Sequence, residues 1–438
     1  MDRAGYRRLS RRAFLGGTAG LAATALLAAC GANPTPTQGP TGGTGATTTT
    51  GTTTMTTTAA GTATGGTAAA PAQVKGTVRV GIVTSRSGAL QSYGEQYLEG
   101  FEVGLDYVTR GTGVVAGYRV ETTIRDDTGA PDPAVAAAKD LIGQGYKILM
   151  GSVVSGVALQ VAPLAEQNKV LFISGPAAVD TLTGINPYTF RSGRQTYQDI
   201  LTAKSFLADP RGKSVLVFAP DTAFGQGNVA SVKGVFGADG GNVDQLLVPA
   251  DARDFAPFAQ QVLNRKPDLL FVAWAGATAT AMWSALDGQG VLTSFPVVTG
   301  LDQRASYSLF GPAAERISFL SHYIYQAPQN EVNAALVERM RARGNKVPDL
   351  FTPDGFVGAQ LLARAIEAGD GTNVDRMVSG LEGYSFKGPK GDYTVRKEDH
   401  GLVQPMFQVK LARQGDAFEA TPVTTVAPDR VAPPVKRS

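Results

Sequence analysis

Short β-branched runs alternate with longer stretches of helical periodicity along most of this 438-residue chain. The run 78–84 is typical of a buried strand, and 93–108 places Tyr97, Phe101 and Leu105 on one helical face. The same alternation predicts strands at 118–125, 148–150, 170–173, 214–219, 242–248, 269–273 and 296–299, and helices at 133–144, 157–167, 197–207, 228–236, 255–263 and 277–286. Strands that alternate with helices of this length indicate parallel sheets covered on both faces.

These units are too many for one sheet, so the pattern predicts an α/β fold divided into two lobes. Residues 331–380 are predicted to be helical, and 384–411 to form short strands and turns. Residues 30–76 are mostly Thr, Gly, Ala and Pro, which cannot bury enough apolar surface to offset the entropy of ordering. We predict a flexible tether there, and a disordered, proline-rich tail at 414–438.

The N-terminus has the layout of an export signal. Arg11 and Arg12 precede an apolar run at 14–29, which is shorter than the roughly 20 residues of a membrane helix and ends at the only cysteine, Cys30. The paired arginines resemble a twin-arginine signal, and Leu27-Ala-Ala-Cys30 resembles the lipobox of bacterial lipoproteins. The resemblance implies removal of residues 1–29, lipid on the Cys30 thiol and an extracytoplasmic protein held at the membrane. The alternative is an unmodified cysteine on an uncleaved anchor helix.

Charge and composition exclude several classes of function. The formal charge is +3, but residues 1–29 carry five arginines and one aspartate, so their removal leaves −1 and gives no reason to expect a nucleic-acid partner. With two histidines, His322 and His400, and one cysteine, the sequence contains no cluster with metal-ligand spacing. No nucleophile-elbow motif accompanies either histidine, and the glycines at 225–227 lie too far beyond the strand 214–219 for a dinucleotide site. We therefore expect no metal, no cofactor and no enzymatic activity.

Several short motifs occur in a characteristic order between residues 78 and 411. They are Val80-Gly-Ile-Val-Thr-Ser-Arg-Ser-Gly88, Tyr93-Gly94, Gly100, Asp126-Asp127, Ile148-Leu-Met-Gly151, Ser155, Pro163, Phe172-Ile-Ser174 and Phe224-Gly-Gln-Gly227. In this order, and behind a lipoprotein leader, they resemble the substrate-binding proteins of ABC importers related to the leucine/isoleucine/valine-binding protein. That resemblance implies two Rossmann-like lobes with parallel sheets, a three-segment hinge and a ligand trapped in the cleft by hinge closure.

The family's topology also predicts where the chain crosses between the lobes. We expect crossings near 190–192, 321–323 and 383–386. Lobe I would then comprise 77–191 and 324–382, and lobe II would comprise 192–323 and 383–413. Residues 331–380 would return to cover the first lobe.

Ligands of open α/β sheets lie beyond the carboxyl ends of the strands. Ser155 follows the strand 148–150, opens a helix and matches the family serine that holds a ligand carboxylate; alternatively it only caps that helix. Ala177 and Ala178 follow the strand 170–173, where relatives contact the amino-acid head group. Val179 lacks the hydroxyl that relatives place in this loop.

The second lobe contributes Asp302 and Phe224, and the first lobe contributes Tyr93. Asp302 follows the strand 296–299, where amino-acid binders have an acidic residue for the ligand ammonium; a surface-loop aspartate is the alternative. Tyr93 and Phe224 match aromatic residues that close on the ligand from opposite lobes, with core packing the alternative for Phe224. A further family tyrosine is replaced by Ala277, and Trp274 lies three residues earlier, where it reshapes the wall.

The leading hypothesis is therefore a lipid-tethered, monomeric receptor that captures a branched-chain or similar small aliphatic amino acid for a cognate ABC permease. A receptor for an amide, urea or aromatic acid is the alternative within the class, favoured by the missing tyrosine and the missing hydroxyl. A ligand sensor for a membrane partner and an extracellular enzyme on the same fold are alternatives from other classes.

Overall fold

The computed structural model describes residues 74–436. Cys30, the export signal and nearly all of the predicted tether lie outside these residues. From the start of the described chain to Arg191 the elements are β1 (Gly76–Thr84), α1 (Gln91–Thr109), β2 (Val114–Val115), β3 (Tyr118–Asp126), α2 (Pro131–Gly143), β4 (Ile148–Gly151), α3 (Ser155–Asn168), β5 (Leu171–Ser174) and β6 (Thr189–Arg191).

A second run of α/β units follows. Its elements are α4 (Thr196–Ala203), β7 (Ser214–Pro220), α5 (Ala223–Val232), β8 (Asn242–Val248), α6 (Ala256–Arg265), β9 (Leu269–Val272), α7 (Ala279–Gly288), α8 (Val291–Ser294), β10 (Val297–Gly300) and β11 (Ile317–Ser321). The remaining elements are α9 (Glu331–Ala342), α10 (Thr352–Gly369), α11 (Val374–Leu381), β12 (Ser385–Gly388), β13 (Gly391–Val395), β14 (Leu402–Val403), β15 (Met406–Gln414) and β16 (Ala417–Val426).

The strands form two large sheets, as the alternating pattern predicts. The first sheet has the order β2-β3-β1-β4-β5-β6, and all its pairs are parallel except β2 with β3. The second has the order β16-β15-β11-β10-β9-β7-β8 and is parallel from β8 to β11. Central strands such as β4 and β9 are buried along their whole length, which explains their uninterrupted apolar sequences. The two-lobed α/β fold is confirmed.

Helices α1 and α10 pack together across the outer face of the first sheet. A Cβ atom on Gly355 of α10 would lie 1.9 Å from the Tyr97 carbonyl oxygen, and one on Gly100 of α1 would lie 1.9 Å from the Thr352 carbonyl oxygen. Only glycine permits so close an approach of two backbones. The contact explains why residues that follow the second lobe return to cover the first.

The chain passes from the first sheet to the second after Arg191 of β6, and leaves the second sheet after Ser321 of β11. The third crossing differs from the prediction at 383–386. Strands β12 to β14 form a small antiparallel sheet whose Tyr393 and Val395 are buried in the lobe I core, and the chain returns to the second sheet only at β15. Residues 382–383 form a local turn before β12, with a 3.1 Å hydrogen bond from the Tyr384 amide to the Leu381 carbonyl.

The C-terminal segment also differs from the predicted disordered tail at 414–438. Strand β16 pairs antiparallel with β15 over residues 417–426, and the chain then turns back to bury Val431 completely. The Lys436 backbone amide donates at 3.0 Å to the side chain of Asp399, which lies 37 residues earlier in the chain. Most β16 side chains are exposed, so its order comes from backbone pairing, which composition does not record.

Candidate functional site

The carboxyl ends of the parallel strands in both lobes face a cleft that encloses a cavity of about 940 Å³. Five of the six predicted ligand residues line it: Tyr93, Ser155, Ala178, Phe224 and Asp302. They come from the segments after β1, β4, β5, β7 and β10, respectively. Parallel strands bring these five loops to one edge of each sheet, which is why residues 209 positions apart meet in one cavity.

Tyr93 and Asp302 join the two lobes directly. The Tyr93 hydroxyl donates to the Asp302 carboxylate at 2.5 Å, and the Gln303 amide donates to the same oxygen at 2.7 Å. Beside them, the Gln96 amide group donates to Gln303 at 2.8 Å. Burial raises the pKa of the Asp302 carboxyl, although the hydrogen bonds from Tyr93 and Gln303 oppose the change. Asp302 therefore lies on the cleft and bridges the lobes, rather than on the outer surface.

Ser155 is the first residue of α3 and is 4% exposed. It does not cap the helix, because the N-cap position is Val154 and shows no side-chain capping bond. Instead the Ser155 hydroxyl accepts a hydrogen bond from the Val179 amide at 3.3 Å. The serine therefore connects the start of α3 to the loop that follows β5 while it faces the cavity.

Ala177 is the one predicted ligand residue that does not line the cavity. It is fully buried, its amide donates to the Ser152 carbonyl at 3.2 Å, and its carbonyl accepts from Arg191 at 2.7 Å. Its neighbour Ala178 does line the cavity, and the Ala178 carbonyl accepts from the Thr196 amide at 2.8 Å. Ala177 thus anchors the loop from behind, because consecutive residues of an extended loop face opposite sides.

Aromatic side chains form much of the cavity wall. Phe224, the second residue of α5, is half-buried and also packs against the lobe II core. Trp274, just after β9, lies edge-on to Phe255 with ring centroids 5.3 Å apart, and its indole nitrogen donates to Thr278 at 3.1 Å. Phe351, before α10, contributes a further ring from lobe I. The predicted effect of Trp274 on the wall agrees with its position.

A charged floor was not predicted from the sequence. Arg194, Asp199 and His322 line the cavity where the chain crosses between lobes, and each is at most 7% exposed. Arg194 and Asp199 form an ion pair of 3.2 Å, and Arg194 also donates to the Pro176 carbonyl at 3.0 Å. The sequence offered one signal for this floor, an arginine and a histidine near two predicted crossings. Charged side chains are rarely buried at such places unless they have a partner.

The two histidines have separate environments. Burial, reinforced by the positive charges of Arg194 and Lys390, holds the pKa of His322 well below its ordinary value, so the ring is neutral at pH 7. His400 stacks on Phe190 with centroids 3.9 Å apart, and its Nδ1 lies 3.1 Å from the Thr189 carbonyl oxygen. His400 is therefore a packing residue beside the first crossing.

Within residues 74–436 no group of three or more His, Cys, Asp or Glu side chains is placed to hold a metal ion. Over the same residues no helix has the length and apolar character needed to cross a membrane.

Comparison with known proteins identifies the family. A family model described as periplasmic binding protein matches residues 77–416. A Leu/Ile/Val-binding protein of Rhizobium johnstonii is 23% identical over 310 residues, covering 70% of this chain and 83% of that protein. The likeness predicted from the ordered motifs is confirmed.

Solved structures agree in fold. An ABC-type branched-chain amino acid transporter protein from Rhodopseudomonas palustris superposes with a TM-score of 0.69 at 28% identity, covering 82% of this chain and 100% of that one. A solute-binding protein of the same organism in complex with 4-hydroxybenzoate has a TM-score of 0.73 at 21% identity, with 80% and 97% covered. A leucine-binding protein of Thermotoga maritima has a TM-score of 0.72 at 20% identity, with 80% and 99% covered.

Proposed function

The chain belongs to the periplasmic binding protein family, and from that premise we propose that it captures a small molecule in its interlobe cleft and delivers it to the permease of an ABC importer. The observation that carries the proposal is the cavity itself, lined from both lobes by residues at the carboxyl ends of parallel strands. Its volume is at the upper end of the range of roughly 300–1,000 Å³ typical of ligand pockets.

Capture would proceed by hinge closure around the three chain crossings. The Tyr93–Asp302 and Gln96–Gln303 hydrogen bonds connect the lobes on one side of the cleft. A further contact joins the lobes, because the Ser231 hydroxyl of lobe II donates to Asp180 of lobe I at 2.5 Å. These contacts fit a closed form, and each would break when the lobes separate to admit or release a ligand.

The first candidate ligand is a branched-chain or similar aliphatic amino acid. Ser155, at the start of α3, offers a hydroxyl and a positive helix end to a carboxylate. Asp302, across the cavity, offers a buried carboxylate to an ammonium group. The relatives named Leu/Ile/Val-binding proteins support this candidate.

An aromatic acid is the second candidate ligand, followed by an amide or urea. The rings of Phe224, Trp274 and Phe351 line the cavity and suit a flat body. Asp302 already accepts two hydrogen bonds from the protein, which leaves its carboxylate less available to an ammonium. The solved relative in complex with 4-hydroxybenzoate supports this alternative.

A thermal-shift screen of the full chain against leucine, isoleucine, valine, benzoate, 4-hydroxybenzoate, benzamide and urea tests both candidates. A ligand at 100 times its dissociation constant adds about 2.7 kcal/mol to the free energy of unfolding. For a responding amino acid, Asp302→Asn should weaken binding by about 1.5–3 kcal/mol, because Asn keeps the acceptor oxygen and loses only the charge. Asp287→Asn, at an exposed position of α7, is the matched control. Equal affinity in wild type and Asp302→Asn would remove the ammonium site.

Periplasmic binding proteins work outside the cytoplasm, so membership of the family indicates an extracytoplasmic location. We further propose that Cys30 carries the lipid that holds this chain at the membrane, and that the Thr-rich segment 30–76 lifts the lobes towards the permease. The chain acts as a monomer in this scheme, because each molecule contains a complete cleft.

A further inference from the structure

The floor of the cavity contains a cation whose hydrogen-bonding capacity is only partly used. Arg194 is 7% exposed, and its Nε donates to Asp199 while one Nη1 hydrogen goes to the Pro176 carbonyl. A guanidinium has five N–H donors. Among residues 74–436, its Nη2 makes no hydrogen bond, and the side chain borders the cavity. This donor is therefore available to a ligand in the cavity.

Arg194 belongs to a buried cluster of charged side chains. Arg191 and Lys390 lie close to it, and the carboxylates of Asp180, Asp199 and Asp354 belong to the same cluster. Of the three cations, Arg194 is the one that borders the cavity, so it is the one that an anionic group of a ligand can reach.

Two of these carboxylates have defined surroundings. A Cβ on Gly193 would be 2.7 Å from Asp354 Oδ2, and within the described chain this oxygen has no hydrogen-bond partner. The Asp180 carboxylate accepts from the Tyr197 amide and the Ser231 hydroxyl, and the Lys436 ammonium donates to the Asp180 backbone carbonyl.

His322 adds a second unpaired group at the same place. It is 6% exposed, and its Nε2 has no hydrogen-bond partner in the described part of the chain. Its ring lies 5.0 Å from the Phe351 ring, centroid to centroid, and the Arg194 guanidinium lies 6.0 Å from the same centroid. Both side chains therefore pack against one aromatic ring on the cavity wall, and the His322 Nε2 atom is enclosed by protein.

We propose, resting on the binding function above, that this floor is a subsite for an acid group of the ligand, held by Arg194 Nη2. A guanidinium matches the charge and the planar, two-oxygen geometry of a carboxylate. Phe351, which packs against Arg194 and His322, contacts the carbon body that bears the acid. The ligand is thus an organic acid recognised by a full positive charge as well as by the neutral donors near Ser155.

Acids compared with their own amides test this subsite. Dissociation constants of the full chain are measured for benzoate, 4-hydroxybenzoate and leucine and for the corresponding amides. Wild type should bind a responding acid at least tenfold more tightly than its amide. Arg194→Gln should weaken that acid at least tenfold and change the amide less than threefold, and Arg194→Lys should recover part of the loss. Arg316→Gln, at an exposed arginine that does not border the cavity, should change neither.

Arg194→Gln leaves Asp199 buried without its cation, so Arg194→Gln/Asp199→Asn is made in parallel as a charge-balanced variant. An acid that binds both variants as tightly as wild type overturns the subsite and leaves the receptor function intact. Tighter binding of the amides than of the acids by wild type would also overturn the subsite. A wild type that binds no compound of this panel or of the wider screen overturns the proposed function, and the subsite with it.

Discussion

The hydrogen bond between Tyr93 and Asp302 should contribute measurably to holding the lobes together. Its donor and acceptor lie on opposite lobes at 2.5 Å, and both side chains are largely buried. Hydrogen bonds to charged groups contribute about 1.5–3 kcal/mol. We expect a coupling energy in that range between Tyr93→Phe and Asp302→Ala, because each substitution alone removes the same bond.

The assay is urea unfolding at pH 7 of wild type, the two single variants and the double variant. Tyr107→Phe with Asp287→Ala is the control cycle, on the same helix and the same lobe as the tested residues. It should be additive within about 0.5 kcal/mol. Small-angle scattering of ligand-free Tyr93→Phe should also show a larger radius of gyration. A Tyr93–Asp302 coupling below about 0.5 kcal/mol would refute the idea that this bond joins the lobes in solution.

The Asp302 carboxyl should also make the free energy of unfolding depend on pH in a predictable direction. Burial raises its folded-state pKa above the ordinary value of about 4. As the pH rises from there, the unfolded chain loses this proton first, so the folded state binds more protons and the free energy of unfolding falls. Wild type should therefore lose stability relative to Asp302→Asn across that window; parallel pH profiles would contradict the shift.

Three further predictions concern the scaffold and the anchor. Gly355→Ala should lower the free energy of unfolding by about 3 kcal/mol through overpacking between α10 and α1, whereas Gly288→Ala, with open space around it, should be close to neutral in the same urea titration. Val431→Ala should cost about 2 kcal/mol because this side chain is fully buried, while Val423→Ala, at an exposed β16 position, should cost less than about 0.5 kcal/mol. Equal costs would mean that the C-terminal segment is not packed in solution. Cys30→Ser should move the protein from the membrane fraction to the soluble fraction of lysed cells, and continued membrane association would indicate an uncleaved anchor.

The third crossing and the C-terminal strand show where local pattern stops being informative. Residues 385–403 form short strands as predicted, but nothing in their periodicity says which lobe receives Tyr393. Strand β16 has few buried side chains and depends on backbone bonds to β15. Both outcomes are decided by partners distant in the chain, and a short exposed run has no periodicity that reports them.

The candidate site divides in the same way. Tyr93, Ser155 and Asp302 were predicted from the family resemblance, supported for Ser155 and Asp302 by their positions after strands, and all three line the cavity because the ends of parallel strands converge. Ala177 and Ala178 were predicted together, yet one faces the cavity and the other lies behind it. The orientation of adjacent loop residues depends on contacts such as the Arg191 bond to the Ala177 carbonyl.

The sequence by itself determined the alternation of strands and helices, the parallel two-lobed architecture and the family, because each of these follows from local periodicity or from the order of short motifs. Only the tertiary structure decided the route of the last crossing, the pairing of β16 and the charged floor around Arg194. A buried arginine, lysine and histidine from distant segments become a site only when the fold removes water from all of them at once.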